Sequence, residues 1–334
     1  MNFKRILSYC LSLCLIAVYT SCSSSEDAAP KDEMGFITPT LEPNFESLKS
    51  SRLQVDIASG KVNWTGDDQL LVFVHESGQQ PKTSDQWKAC RYKFVTNSTD
   101  CTLNKFAQEA NASNPLQLDP SKSYDWYVMY PYTETVLSPI GDGSFTIAEP
   151  TMNMQEPTAH LAANDVMANV LKKQKAAQKV ALTLNHHATL MLFNVHNLTA
   201  ESFIPKSVDF ETVAASTADL SGEYTVDFEK GLTPKAGKSS LHLALSNAPT
   251  VAAGSNFTVY TIMAPFSLNA NDQFNVRVLT DKSNTVQSST MKGEITFQAG
   301  TKSSANVKVT KEPILNQSIE SWEIQGESED NIII

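Results

Sequence analysis

Three histidines offer the most obvious chemistry in this sequence, because a neutral imidazole is a common metal ligand and general base. His186 and His187 are adjacent, and His196 follows ten residues after His186. Neighbouring side chains on a strand point to opposite faces, so His186 and His187 cannot bind one ion together. His196 shares a face with His186 but lies ~33 Å further along a continuous strand. The spacing therefore favours a core histidine held by a hydrogen bond, and we predict no metal site.

Two pairs of carboxylates have the residue types that glycosidases use: Glu149 with Glu156, and Asp67 with Asp68. Such a pair needs a separation of ~5 to 9 Å, which a sequence does not give. Turn chemistry already explains the two aspartates, which follow Gly66. The sequence contains no nucleophile elbow, P-loop, dinucleotide fingerprint, zinc-protease helix or EF-hand loop. We therefore predict that the chain is not an enzyme and uses no cofactor.

Residues 1–21 have the composition of a secretory signal peptide. Lys4 and Arg5 precede an uncharged stretch, residues 6–18, which is shorter than the roughly 20 residues of a membrane-spanning helix. Cys22 follows directly, in a sequence that resembles a lipobox, although Tyr19 stands where leucine is usual. We expect a lipid on Cys22, whose acyl chains would hold the protein on a membrane. The alternative is ordinary cleavage beside a bystander cysteine.

The Ser-, Ala- and acid-rich segment that follows reads as a solvated extension, so residues 22–50 are predicted to be a lipidated tether. Further along, Cys90 and Cys101 are spaced for a hairpin disulfide, which is plausible in an oxidising exterior. Such a bridge would restrict the unfolded chain by roughly 3 kcal/mol in the entropy model. Two free, half-buried thiols are an equal alternative.

The charge and the length limit the class of protein. The net charge is −10, and loss of the basic signal peptide makes it more negative. Nucleic-acid binding needs a basic footprint, so we predict no nucleic-acid partner. About 310 mature residues exceed what one hydrophobic core usually serves, which indicates two domains.

Apolar residues alternate with polar ones far more often than they repeat with helical spacing. This pattern predicts an all-β fold of antiparallel β-sandwiches. The alternating or continuous apolar segments are residues 53–57, 70–74, 126–129, 180–192, 224–228, 241–245, 257–262, 274–279, 295–297 and 307–309.

One segment shows a different pattern and predicts a short helix near the domain boundary. Its apolar residues have helical spacing, and Asn164 can cap the helix; they are Ala163, Val166, Met167, Val170 and Leu171. A lysine-rich run, residues 172–175, follows and is expected to be a solvated interdomain face. We place the boundary there, with an N-terminal domain at residues 51–176 and a C-terminal domain, including the tail, at residues 177–334.

Several short blocks together resemble the fimbrillin (type V pilin) family. None is diagnostic alone, but they occur in the order seen in fimbrillin-like lipoproteins and cover most of the mature chain. The blocks are residues 64–68, 127–132, 155, 164–167, 180–195, 222–224, 262–265, 299–300 and 319–322. The resemblance implies two transthyretin-like β-sandwich domains in series.

The resemblance also implies a mechanism of assembly. In the family, an Arg-specific protease removes the first strand, and a strand from the next subunit fills the exposed groove. Arg52 is the candidate cleavage point here and Lys49 a lesser one, although Arg52 also fits an ordinary surface arginine. Residues from about 314 onward, which end in three isoleucines, are the candidate donor segment. The expected partners are other pilin subunits and, through the lipid, the outer membrane.

Two functions remain open from the sequence. The chain is either a structural or adhesive subunit of a cell-surface pilus (fimbrium), or a monomeric outer-membrane lipoprotein that binds host glycans or proteins. Aromatic residues such as Trp87, Trp126 and Tyr132 offer rings for sugar stacking. Most aromatic residues in a sandwich, however, fill its core.

Overall fold

A computed structural model describes the greater part of the chain. The described residues are 35–43, 54–56, 61–64, 66–79, 81, 83, 86–95, 105–109, 116–213, 218–282, 287–292, 294–310, 314–318 and 323–325. Within these ranges we find no helix with the length and apolarity that crossing a membrane requires.

Strands dominate the described structure. The first group is β1 (Thr40–Pro43), β2 (Gln54–Asp56), β3 (Lys61–Asn63), β4 (Gln69–Glu76), β5 (Ala89–Val95), β6 (Lys105–Gln108) and β7 (Ser123–Tyr130). The middle group is β8 (Val136–Ser138), β9 (Asp142–Gly143), β10 (Phe145–Ile147), β11 (Thr151–Asn153), a single-turn 3-10 helix (Leu161–Ala163), β12 (Met167–Lys175), β13 (Lys179–Leu182) and β14 (Asn185–His186). The last group is β15 (Thr189–Asn197), β16 (Pro205–Val213), β17 (Ser221–Asp227), β18 (Gly231–Lys238), β19 (Ser240–Ser246), β20 (Asn256–Met263), β21 (Phe266–Leu268), β22 (Gln273–Thr280), β23 (Gln287–Lys292), β24 (Ile295–Phe297), β25 (Lys302–Val309), β26 (Ile314–Ser318) and β27 (Glu323–Gln325).

The first sheet has the order β13-β1-β6-β5-β4-β7-β12-β14. Its two outer strands, β13 and β14, are separated in the chain only by Thr183 and Leu184, so the sheet curls until its borders adjoin. The side-chain amide of Asn169 donates to the carbonyl of Thr183 at 2.9 Å and ties β12 to this link. The curled sheet encloses a core rich in aromatic residues, among them Trp64, Tyr92, Phe94, Phe106, Trp126 and Tyr130.

The C-terminal half forms a β-sandwich. A six-stranded sheet, β11-β19-β16-β22-β23-β26, packs on a four-stranded sheet, β20-β15-β25-β27. Alternate side chains of β15 and β16 point into the shared core, as expected when one face of a strand is buried. The rings of Phe193 and Phe210 meet there with centroids 4.5 Å apart. The all-β, sandwich-type fold predicted from the alternating pattern is confirmed.

A third sheet joins the two halves. Its strands, in the order β10-β17-β18, lie over the outer face of the first sheet. Tyr224, Val226 and Phe228 of this region share a buried cluster with Phe73 and Met129 of the first sheet. The β17–β18 hairpin therefore covers an apolar surface on the outer face of the first sheet.

The helix predicted near the boundary is wrong. Most of that segment is β12, which pairs antiparallel with β7 and places Met167 opposite Tyr130. Val166, Met167 and Ala168 are all buried, because both faces of the strand are covered. Burial on both faces removes the alternation that marks a half-buried strand, and the remaining spacing resembled a helix by chance.

The strands can be compared with the predicted domain limits. The tether expected at residues 22–50 does not hold for residues 35–43, which include β1. The long strand expected at residues 180–192 is divided into β13 and β14, which belong to the first sheet, and β15, which belongs to the sandwich. The last strand of the first sheet, β14, ends at His186, whereas the earlier β11 already belongs to the sandwich, and the boundary at residue 176 stays a prediction.

Candidate functional site

The N-terminal strand β1 occupies an interior position of the first sheet. It pairs parallel with β13, from Thr40 opposite Lys179 to Pro43 opposite Leu182. On its other side it pairs antiparallel with β6, where Leu41 lies opposite Phe106. A segment from the start of the chain is therefore inserted between two strands that come much later. This insertion is the candidate functional site.

Apolar side chains anchor this segment. Leu41 has no exposed surface, and Ile37 is 6% exposed and forms a two-way backbone bridge with Leu118. Both residues belong to the core of the first sheet, together with Val180 of β13. Burial of a leucine side chain contributes ~1.5–3 kcal/mol, so this contact helps to hold β1 in place.

Hydrogen bonds on both sides fix the register of the segment. The backbone N–H of Thr40 donates to the carbonyl of Gln178 at 2.8 Å. The hydroxyl of Thr38 donates to the carbonyl of Leu116 at 3.0 Å, and that of Tyr92 donates to the carbonyl of Pro39 at 3.2 Å. Burial raises the pKa of the Tyr92 phenol, so this donor keeps its proton.

Two of the sequence blocks meet in the core close to β1. Trp64 packs edge-on against Phe106 and Tyr130, with ring centroids 5.0 and 4.9 Å away. The phenol of Tyr130 donates to Oδ1 of Asp68 at 3.0 Å. Burial, then the Asp68 carboxylate, raises the pKa of Tyr130. Trp64 and Asp68 of one block thus contact Tyr130 of the other and support β6, the neighbour of β1.

The geometry defines what the site can do chemically. If β1 left, β6 and β13 would face each other across about 9 to 10 Å, twice the usual spacing of paired strands. The backbone groups of both strands would then lack partners, beside an exposed strip of core. Only an extended segment can satisfy both borders, so the site is suited to binding a β-strand.

Several predicted site residues lie outside the described residues: Cys22, Lys49, Arg52, Cys101 and residues 332–334. Cys90 lies in β5 and is 4% exposed. Burial raises the pKa of its thiol to about 11, so it is protonated at neutral pH. Whether Cys90 and Cys101 form a disulfide stays a prediction.

The adjacent histidines point to opposite sides, as the strand pattern predicted. Nδ1 of His186 lies 2.7 Å from Oδ1 of Asp165. His187 lies instead among residues of the cluster under the β17–β18 hairpin, beside Gly231. No group of three or more metal-ligating side chains comes together in the described part of the chain.

The candidate carboxylates and aromatic residues have structural roles. Asp67 lies in an exposed turn, whereas Asp68 is buried on Tyr130. Trp126 is completely buried and Trp87 is 7% exposed, so neither presents a ring face to a sugar. The guanidinium of Arg91 covers Tyr132, 4.1 Å from the ring centroid.

The sequence analysis missed β1 itself, although a signal was present. Ile37, Pro39 and Leu41 alternate with exposed or half-buried neighbours, which is a strand pattern. Two strands lie in the segment predicted to be the donor: β26 pairs parallel with β23, and β27 pairs antiparallel with β25. Both are outermost strands of their sheets in the described structure. The donor role of this segment stays a prediction.

Comparison with known proteins agrees with the all-β, sandwich-type fold. The model of the fimbrillin-like family matches residues 58–322, which is more than half of the chain. The chain therefore belongs to the fimbrillin-like family. This family is structural and adhesive, so the predictions of a fimbrillin relative and of a chain that is not an enzyme are confirmed. No curated protein matches the chain.

Several solved structures are similar to this chain at low sequence identity, and the first of those below shares its fold. A cell adhesion protein from Bacteroides ovatus has 14% identity and a TM-score of 0.55, over 86% of this chain and 98% of that chain. The tip fimbrial protein Mfa3 from Porphyromonas gingivalis has 10% identity and a TM-score of 0.38, over 78% and 94% of the two chains. A fimbrilin from Porphyromonas gingivalis has 11% identity and a TM-score of 0.33, over 84% and 99%.

Proposed function

We propose that this chain is a fimbrial subunit that is exported to the cell surface as a lipoprotein and assembles by strand exchange. Its partners are other pilin subunits and, while the lipid is present, the outer membrane. The observation that carries the proposal is the interior position of β1, between β6 and β13. A strand at the start of the chain that fills an interior gap can be removed and replaced.

Arg52 lies after β1 in the sequence, so cleavage there separates β1 from the remaining chain. The released segment keeps only its non-covalent contacts, chiefly the burial of Ile37 and Leu41 and the pairing with two strands. A long strand from a neighbouring subunit can make the same contacts and more, and can therefore displace the short β1.

Removal of β1 affects β13 as well. In the described structure, β13 pairs with β1 and with no other strand. Loss of β1 would leave β13 without a partner, and Val180 and Leu182 with less cover. The cleaved subunit is thus unstable until another strand enters, which favours assembly over release of monomers.

The donor of the incoming strand is proposed to be the C-terminal segment from residue 314. Because β26 and β27 are outermost strands, each can leave without dividing its sheet. A lipid on Cys22 belongs to the part that cleavage removes, so a subunit that retains it would act as the membrane anchor. A cleaved subunit would begin at Leu53.

The test is polymerisation after proteolysis. The purified chain, without its signal peptide, is treated with an Arg-specific protease, concentrated, and analysed by electrophoresis without boiling. We expect heat-stable ladders of regularly increasing mass. Arg52→Ala should prevent them, whereas Lys49→Ala should not. Truncation after Pro313 should abolish the ladders while circular dichroism shows a folded monomer.

A monomeric outcome would contradict the proposal. If cleavage at Arg52 is confirmed by mass spectrometry and β1 is lost without ladders, the chain does not assemble by this route. The remaining explanation would be a monomeric surface lipoprotein that binds glycans or host proteins. Mass spectrometry of surface-extracted protein gives an independent test, because the N-terminal residue would be either acylated Cys22 or Leu53.

A further inference from the structure

The side chain of His187 lies between the first sheet and the β17–β18 hairpin. It is 8% exposed, and its backbone N–H donates to the carbonyl of Val166 at 2.7 Å. On the hairpin side it meets Gly231, the first residue of β18. A Cβ atom on Gly231 would lie only 3.0 Å from Nδ1 of His187. The hairpin backbone is therefore packed directly on the imidazole ring.

The surroundings of His187 suit a neutral ring. Nε2 has no hydrogen-bond partner within the described structure. The backbone of Phe228 and Ala168 favours a proton on the ring, but burial outweighs both contributions to its pKa. Burial lowers the pKa of His187, and the neighbouring His186 lowers it further. A proton on this ring would place a charge in an apolar interface with one N–H unsatisfied, which is costly.

The charged groups around this interface do not offset such a charge. Asp227, a carboxylate that acts on His187, accepts hydrogen bonds from the side chain of Lys230 and from the backbone N–H groups of Glu229 and Lys230. Glu229 forms an ion pair with Lys172 of β12, which spans the hairpin and the first sheet. Asp227 raises the pKa of His187 less than burial lowers it.

The adjacent His186 has the opposite response. Burial lowers its pKa, but the nearby Asp165 carboxylate outweighs burial and raises the pKa overall. Protonation is thus tolerated on the inner side of β14 and opposed on the hairpin side. Acid is therefore expected to affect the two neighbouring histidines differently: protonation of His186 is tolerated, whereas protonation of His187 disfavours the docked β17–β18 hairpin.

We propose that His187 is an acid-sensitive latch that holds the β17–β18 hairpin on the first sheet at neutral pH and releases it in acid. Undocking lets the ring reach water and take up a proton, which the docked state resists. The docking equilibrium therefore weakens as pH falls below the usual histidine value of about 6.5. Release would uncover the apolar surface formed by Leu71, Phe73 and Met129.

Hydrogen exchange measured by mass spectrometry tests the proposal. The uncleaved chain is compared at pH 7.5 and 5.5, with labelling times scaled for the intrinsic pH dependence of exchange. We expect residues 221–238 to lose protection by up to about tenfold at pH 5.5, because one pH unit below the histidine value changes the equilibrium by that factor. Strands β16 and β22 of the sandwich should change far less.

Two variants separate His187 from other acid effects. His187→Gln cannot be protonated and should remove the extra exchange of the hairpin at pH 5.5. His242→Gln, a change at an exposed histidine of the sandwich, should leave it as in the wild type. The proposal is overturned if the wild-type hairpin is equally protected at both pH values, or if His187→Gln still loses protection in acid.

If His187→Gln does not fold, NMR of the wild-type chain with labelled histidine rings replaces it. Titration of the His187 ring should coincide with the appearance of new hairpin signals. Titration of that ring at an ordinary pH with the hairpin signals unchanged would contradict the latch. Neither experiment requires polymerisation, so failure of the fimbrial proposal and failure of the latch are distinguishable.

Discussion

The phenol of Tyr130 donates a 3.0 Å hydrogen bond to Asp68, and this bond joins two sequence blocks in the buried core of the first sheet. Tyr130 lies at the end of β7, opposite Met167 of β12, while Asp68 immediately precedes β4. The bond therefore fixes the loop before β4 on the strand beside it.

Tyr130→Phe tests the value of this bond. Loss of one donor to a buried carboxylate should lower the free energy of unfolding by about 1–3 kcal/mol. Urea denaturation followed by tryptophan fluorescence measures the change. Tyr132→Phe is the matched control, because its phenol contacts the exposed Glu134, at 3.5 Å, and the partly exposed Arg91. An equal effect of both substitutions would show that the Tyr130 phenol has no special role.

Leu41→Ala tests the anchoring of β1. The side chain is fully buried, so the cavity left behind should cost about 2–5 kcal/mol in the free energy of unfolding. We also expect the N-terminal segment to leave more rapidly after Arg-specific cleavage, as followed by size-exclusion chromatography. Glu42→Gln removes only a surface ion pair with Lys179 and should change stability by less than about 1 kcal/mol. Retention of β1 in the Leu41→Ala variant would contradict its role as anchor.

Lys173→Gly should stabilise the protein. Lys173 has a positive φ of 55° at a register shift in β12, and its backbone N–H donates to Asp125 at 2.7 Å. Glycine adopts this conformation without a Cβ clash and keeps the hydrogen bond, so a gain of up to about 1 kcal/mol is expected. Lys175→Gly, two residues further along the same strand, should instead destabilise by about 0.5–1 kcal/mol. Thermal unfolding of both variants measures the contrast.

Asp165→Asn should change how stability depends on pH. The raised pKa of His186 means that its contribution is fully present below the unfolded value of about 6.5 and is lost as pH rises through the folded value. The wild type should therefore exceed Asp165→Asn in stability by more at pH 6 than at pH 9. Urea denaturation across this range provides the measurement. A difference that is constant or grows with pH would show that His186 is not charged in the pair.

The half-buried strands were the most predictable part of the fold. β19 and β22, which the sequence pattern indicated at residues 241–245 and 274–279, alternate because one face of each lies on the sandwich core. The start of β12 was misread because both faces of the strand are covered there, so its apolar residues show no period of two. The alternation of apolar and polar residues identifies a strand clearly only when one of its two faces is buried.

The candidate site was less predictable. Cleavage after a first strand was inferred from family resemblance, but the strand falls in a segment that was assigned to a tether from the Ser-, Ala- and acid-rich composition of the residues before it. Its position depends on pairing with β13, more than 130 residues away in sequence, from Thr40 opposite Lys179. Pairing between such distant segments produces no pattern in the local sequence. The burial of Ile37 and Leu41, in contrast, appears in the sequence as an alternation of apolar residues.

The curled form of the first sheet affects how the uncleaved chain can associate with other chains. The short link at residues 183–184 brings β13 and β14 together, so the uncleaved chain exposes little sheet edge here. Edge-to-edge pairing with another chain is thereby disfavoured. Under the proposed strand exchange, growth of a filament would wait for a cut in the covalent chain. A protease, rather than the concentration of subunits, would determine when and where β1 is released from the first sheet.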